Sequence, residues 1–137
     1  MTFYLERAYG RVLDEFGPRA AVICDPRRPD MPIVHATSDF FALTGYAPED
    51  VIGRNCRFLQ GPDTDSATVW AIGAAIRNGR AFTADLLNYR KDGSVFWNRL
   101  RIKPLMARDG ALTRIVGVQN PVAPHEVRRE LVAGFAE

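Results

Sequence analysis

Gly53 to Asp65 reads GRNCRFLQGPDTD and carries Cys56, one of two cysteines in the chain. The sulfur sits between Asn55 and Arg57, and Phe58 and Leu59 separate it from Gln60. A nucleophilic cysteine needs a neighbouring base or a lowered pKa. Neither of the two histidines, His35 and His125, is close in sequence, and the other cysteine, Cys24, is too distant for a metal-binding pair motif. A thiol without an activator, framed by amides and a guanidinium, argues against a cysteine enzyme and against a metal site. It leaves open what the sulfur does.

Upstream of this stretch, RAAVICD (19–25) and PIVHAT (32–37) have the composition of short strands, joined by the proline-rich turn PRRPDM. SDFFALTGY and APEDVIG then read as two short helices. Downstream, DSATVWAIGAAIRN (65–78) is a clear helix, with Gly79 as its stop. Three longer strand-like runs follow: RAFTADLLNYR, SVFWNRLRIKPLMA and LTRIVGVQN, separated by the hairpin turns KDG and RDG. At the ends, Leu5, Ala8, Tyr9, Val12, Leu13 and Phe16 recur at helical spacing within Phe3–Phe16, PVAP reads as a linker, and HEVRRELVAGFAE as a short closing helix. The order predicts an α+β fold: a five-stranded antiparallel sheet with short helices on one face, a cavity between them, and helical extensions at both termini. The expected division is an N-terminal helical cap (1–18), a core (19–121) and a short C-terminal helix (122–137). The apolar stripe of the first helix makes it a candidate homodimer contact.

The 137 residues fit one domain with a real core. Hydrophobic residues make up 47% and charged residues 25%, the balance of a soluble globular protein. A formal net charge of +2, with the basic residues scattered, does not point to nucleic-acid or membrane binding. Runs such as AAVIC are too short to span a bilayer, and the N-terminus lacks the layout of a secretory signal. Two cysteines make no disulfide framework, so a reducing cytoplasm is the expected compartment.

The later strands each carry one amide among hydrophobics: Asn88 in LLNYR, Asn98 in VFWNRL and Gln119 in VGVQNP. An unmet buried amide costs about 1–3 kcal/mol. Any one of them could face water, and the three could satisfy each other. Together with Asn55 and Gln60 they favour a flat ligand with a polar edge, because amides donate and accept at once. Arg57 adds a positive charge that could hold a phosphate.

GRNCRFLQGPDTD is similar to the signature of the LOV (light-oxygen-voltage) domains, flavin-binding blue-light sensors of the PAS superfamily. The resemblance runs from Asp25 to Asp65 in register and continues in LLNYRKDGSVFWN and IVGVQNP. It implies a PAS-type sheet and a blue-light photoreceptor rather than an enzyme. The implied cofactor is FMN, with riboflavin as a second candidate. Cys56 would be the photoactive thiol, whose sulfur bonds reversibly to the C4a carbon of the photoexcited flavin; the flavin itself then takes the proton, so no histidine is needed. By the same resemblance Asn88 and Asn98 meet the pyrimidine edge and Gln119 faces N5 and O4. Asn55 and Gln60 contact the ribityl and phosphate region, and Arg57 the phosphate. Val22, Ile33, Leu59, Leu86, Leu100 and Ile102 would form the apolar walls. Asp50 and Lys91 fall where the family carries a surface ion pair.

Three positions depart from the family pattern. Gly73 stands where a second phosphate-binding arginine is common, Leu100 where plant photoreceptors carry Phe, and Cys24 where many relatives have Thr or Asn. The lack of any effector segment resembles the bacterial short LOV proteins and implies signalling through a homodimer to an unidentified downstream protein. The alternative is a light-independent PAS module for ligand binding or dimerisation, in which Cys56 is incidental.

Overall fold

Gly93 and Gly110 both take φ of 88°, a left-handed conformation that other residues reach only at a cost. They close KDG and RDG as tight turns and bring three consecutive strands together: β3 (Phe82–Tyr89), β4 (Val95–Met106) and β5 (Leu112–Gln119). The computed structural model describes residues 19–128. Within them β1 (Ala20–Cys24) pairs with β5, and β2 (Ile33–Ala36) with β1, giving the antiparallel order β2-β1-β5-β4-β3. All five β1 residues are buried, as a central strand covered on both faces requires. Val22, Cys24, Ile115 and Ile102 belong to the core beneath the helices, and Ala21, Ile23, Val116 and Val118 to a second apolar cluster.

Three α-helices lie between β2 and β3: α1 (Ser38–Thr44), α2 (Pro48–Val51) and α3 (Ser66–Arg77). Thr37 caps α1 by accepting from the Phe40 N–H, and its hydroxyl also accepts from the Ala21 N–H at 2.9 Å, so the cap docks the helix on β1. Asp65 caps α3 through the N–H of Thr68 and binds its hydroxyl at 2.7 Å; that bond draws the Asp65 carboxyl below its ordinary pKa. Gly79, at φ 62°, ends the helix as expected. The loop before α3 is pinned to β3, with Thr64 Oγ1 donating to the Leu87 carbonyl at 2.7 Å. Gly61 lies so close to the Tyr89 ring that a Cβ there would sit 2.3 Å from it.

The expected strands and helices of the core are present, and three details differ. The PVAP linker contains a sixth strand, β6 (Pro121–Val122), paired with Asn98 and Trp97 of β4. β4 is long enough to pair with β3 along one edge, whereas β5 covers the other edge only from Arg101 onward. The chain leaving β5 fills the remainder, and proline is tolerated there as the first residue of a short strand. Cys56–Leu59, which the sequence pattern left unassigned, is a 3-10 helix. The closing helix is not seen in its described part: Pro124–Glu126 form a single 3-10 turn, and Val127 and Arg128 are not helical. The remainder of that segment and the Phe3–Phe16 helix lie outside the described residues.

Arg99 on β4 donates twice to Asp85 on β3, at 2.9 and 3.0 Å, and the Asp85 side chain is fully buried. The same pair grips the C-terminal segment: Arg99 donates to the Glu126 carbonyl at 2.8 Å, and the Arg128 N–H donates to Asp85 at 2.7 Å. Burial raises the Asp85 pKa, but Arg99 and the Arg128 N–H outweigh it and leave the carboxyl below its usual value. The stability this contributes is complete above the unfolded carboxylate pKa, near 4, and is lost as pH falls through the lower native value. Asp85→Asn should therefore cost about 1.5–3 kcal/mol at neutral pH, the scale of hydrogen bonds to a charged group. In urea melts the gap between parent and variant should begin to narrow below about pH 4 and keep shrinking as pH falls through the lower native value. A gap that persists unchanged in acid would show that the charge is not what holds the segment.

Candidate functional site

Between the sheet and the helical side lies a cavity of about 260 Å³, just below the ~300–1,000 Å³ typical of small-ligand sites. β1 contributes Val22 and Cys24, and the turn after it Met31. Asn55, Cys56, Arg57, Leu59 and Gln60 come from the 3-10 segment, and Val69, Ile72, Gly73 and Ile76 from α3. The strands supply Leu86, Asn88, Asn98, Leu100, Ile102, Ile115, Gly117 and Gln119. Every expected site residue lines this cavity except Ile33.

Ile33 is fully buried in the core and acts through its backbone. Its N–H donates to the Arg54 carbonyl and its carbonyl accepts from the Gly53 N–H, both at 2.8 Å. It also pairs with Cys24 across the sheet. One residue thus ties the signature stretch to β2 and aligns it with β1. The side-chain type expected of a wall is there, but it packs into the core.

Cys56 opens the 3-10 helix, which Asn55 caps by accepting from the Arg57 N–H at 2.9 Å. Phe58 is held by an edge-on contact with Tyr46 at 5.0 Å and by the Arg54 guanidinium 4.7 Å above its ring. The Cys56 thiol is half-buried, and its sulfur lies 3.6 Å from that of Cys24, which is 2% exposed. The hydrogen bond with Cys56, reinforced by burial, pushes the Cys24 thiol well above its ordinary pKa.

Two of the polar site residues have a partner the sequence did not reveal. Arg57 forms an ion pair with Asp30, and Asn55 Nδ2 donates to the Asp30 carbonyl at 2.7 Å. Asp30 and Met31 sit at φ 64° and 45°, a left-handed turn that aspartate tolerates better than most residues. The hydrogen bond from Arg57 lowers the Asp30 pKa, and the reverse contact raises that of Arg57. Both groups are exposed, so the pair adds little stability, and Arg57 also lines the cavity. Lys91 and Asp50 also form the expected exposed ion pair, at 3.5 Å.

The strand amides behave in two ways. Asn98 Nδ2 donates to Asn88 Oδ1 at 2.9 Å, and Asn98 Oδ1 accepts the Asn120 N–H at 3.1 Å. Asn88 Nδ2 donates to the Leu87 carbonyl at 3.2 Å. Gln119 Oε1, by contrast, is buried with no hydrogen-bond partner. Buried polar atoms are rarely left unmet, and this one belongs to a residue that lines an apolar-walled cavity. The arrangement fits a planar heterocycle with a polar edge, as a flavin has.

The wall residues not singled out from the sequence follow simple periods. Val69, Ile72 and Ile76 recur with Gly73 at helical spacing along α3, and Ile115 and Gly117 alternate with Gln119 on β5. Those periods were readable, but only the sheet partners reveal which face they point to. Met31 has no such signal, because its place depends on the irregular turn.

Residues 19–120 match the PAS domain family model. Phototropin-2 of Oryza sativa subsp. japonica is 50% identical over 104 residues, which are 76% of this chain and 12% of that protein. Blue-light-activated histidine kinase 1 of Erythrobacter litoralis is 48% identical over 100 residues, 73% of this chain and 28% of that kinase. The chain therefore spans well under a third of these relatives. The dark structure of the blue-light photoreceptor Aureochrome1 LOV superposes with a TM-score of 0.79 at 38% identity, covering 94% of this chain and 89% of that one. The chain belongs to the PAS domain family, and within it to the LOV domains.

In flavin-free protein the two kinds of amide should respond differently to substitution. Asn98→Leu strands the Asn88 oxygen and the Asn120 N–H and should cost about 1–3 kcal/mol. Gln119→Leu removes an oxygen without a partner and should leave the urea midpoint unchanged or raise it. Equal losses for the two variants would mean that Gln119 is satisfied within the protein.

Proposed function

We propose that the chain is a blue-light sensor that holds FMN in this cavity and uses Cys56 as its photoactive thiol. The observation that carries the reading is a half-buried free thiol lining the same cavity as three buried amides, one with an unpartnered oxygen. When bound, the flavin supplies the light-excited ring carbon to which the Cys56 sulfur bonds reversibly. The protein's part is positional. The Asn55 cap and the Ile33 clamp fix where the sulfur sits, and the apolar walls exclude water. Asn88 and Asn98 hold the pyrimidine edge while Gln119 offers the oxygen or the nitrogen of its amide, as the ring demands.

Gln119 adjoins Asn120, whose N–H donates to Asn98 and whose Nδ2 donates to the Arg99 carbonyl at 3.0 Å. Arg99 and Asp85 grip residues 126–128. A changed hydrogen bond at Gln119 thereby reaches the C-terminal segment through contacts with two chemical states to respond to. The same proposal includes a homodimer formed through the Phe3–Phe16 helix, a separate protein as the next partner, a cytoplasmic location and no enzymatic turnover.

Purified protein should be yellow and bleach reversibly under blue light. Cys56→Ser should keep the colour, fail to bleach and fluoresce persistently; a variant that still bleached and recovered like the parent would remove Cys56 from the role. A second outcome concerns the phosphate. Gly73 lines the cavity, and a Cβ there would have only the end of the Arg77 side chain within 4 Å, at 3.2 Å. Gly73→Arg should add a charged hydrogen bond, about 1.5–3 kcal/mol or roughly tenfold or more in affinity. Titrations should show this gain for FMN and not for riboflavin. Equal tightening of both, or none, contradicts a phosphate at that position.

A further inference from the structure

We propose that Cys24 and Cys56 form a reversible disulfide across the cavity wall, an oxidation site that takes the thiol of the signature stretch out of use. Their sulfurs are 3.6 Å apart, so closing to the ~2.05 Å of a disulfide requires about 1.5 Å of approach. The backbone around them is already set: Ile33 pairs with Cys24 on one side and binds Gly53 and Arg54 on the other. Among the described residues no group of three His, Cys, Asp or Glu could hold a metal, which separates the pair from a metal site.

The two thiols have unequal access. Cys56 is half-buried at an open cavity and is the sulfur an oxidant reaches first; Cys24 is buried beside it and less accessible. The oxidant class is a peroxide. It transfers one oxygen to the Cys56 sulfur to give a sulfenic acid and releases water. Cys24 then attacks that sulfur, its proton leaving with the hydroxyl as a second water. Overall the two thiols lose two electrons and two protons, and one peroxide becomes two waters. A thiol reductant reverses the bond by exchange. The bond itself follows from the paired sulfurs alone; its consequence for light rests on the reading given above, because a sulfur held by Cys24 cannot bond to the flavin.

Flavin-loaded protein, reduced and then freed of reductant, is treated in the dark with hydrogen peroxide, alkylated and digested with trypsin. The expected product joins residues 20–27 to 55–57 with two hydrogens lost, and free thiols fall from two per chain to none. Reversible bleaching should fall in the same proportion, and dithiothreitol should restore both. Cys24→Ser should yield no linked peptide. Two alkylated cysteines after treatment, or Cys56 recovered as sulfinic acid with no link, would overturn the proposal. If the link forms but the reduced protein never bleaches, the disulfide stands and the photoreceptor reading fails. If the reduced protein bleaches and no link forms, only the disulfide fails.

Discussion

The backbone of Ile33 carries the constraint on which the site depends. Through two hydrogen bonds of 2.8 Å it fastens Gly53 and Arg54 to β2, while its pairing with Cys24 registers the same point on the sheet. Together with the Asn55–Asp30 hydrogen bond and the Phe58–Tyr46 contact, that clamp sets the height of the 3-10 helix above β1 and so the position of Cys56. Side-chain packing of Ile33 in the core then resists slippage, since a register shift would turn its buried side chain to the opposite face. The chemistry thus hangs on a residue whose side chain never reaches the cavity.

Around that anchor the buried polar groups divide by purpose. Asn88, Asn98 and Asn120 largely satisfy one another and stiffen the junction where β5 passes into β6. Gln119, one residue from Asn120, keeps a buried oxygen unmatched. A low-dielectric interior makes such an atom costly on its own and a strong contact once a ligand meets it. Rigidity beside one adaptable amide is the combination a sensor needs. The junction also leads outward, because Asn120 touches Arg99, and the Arg99–Asp85 pair holds the C-terminal segment. A change at the cavity edge is therefore a few hydrogen bonds from the surface.

Local chemistry explains what was legible in the sequence. Period-two alternation and the glycines of KDG and RDG reveal three strands and their hairpins, and Asp65 and Gly79 reveal where the longest helix starts and stops. The polar frame of Cys56 and the lone amides of LLNYR, VFWNRL and VGVQNP mark the cavity, because each residue is anomalous in its own neighbourhood. Long-range partners were not legible. Asp30 meets Arg57 across 27 positions, and Asp85 captures the Arg128 N–H across 43, with no local pattern to announce either. β6 was read as a linker because its strand character comes from the uncovered edge of β4 and not from its own residues. Ile33 was placed in the wall by the family resemblance, whereas here its side chain packs in the core and its N–H and carbonyl hold the signature stretch.

The central claim is that light joins the Cys56 sulfur to a flavin within this cavity. Infrared difference spectroscopy of the flavin-loaded, reduced protein reads the thiols directly, and the two cysteines provide an internal control. Under blue light one S–H stretch should vanish as the colour bleaches and return at the same rate in the dark, while the second, from Cys24, persists. Cys56→Ser should show no such loss. Bleaching and recovery with both S–H bands intact would contradict the account.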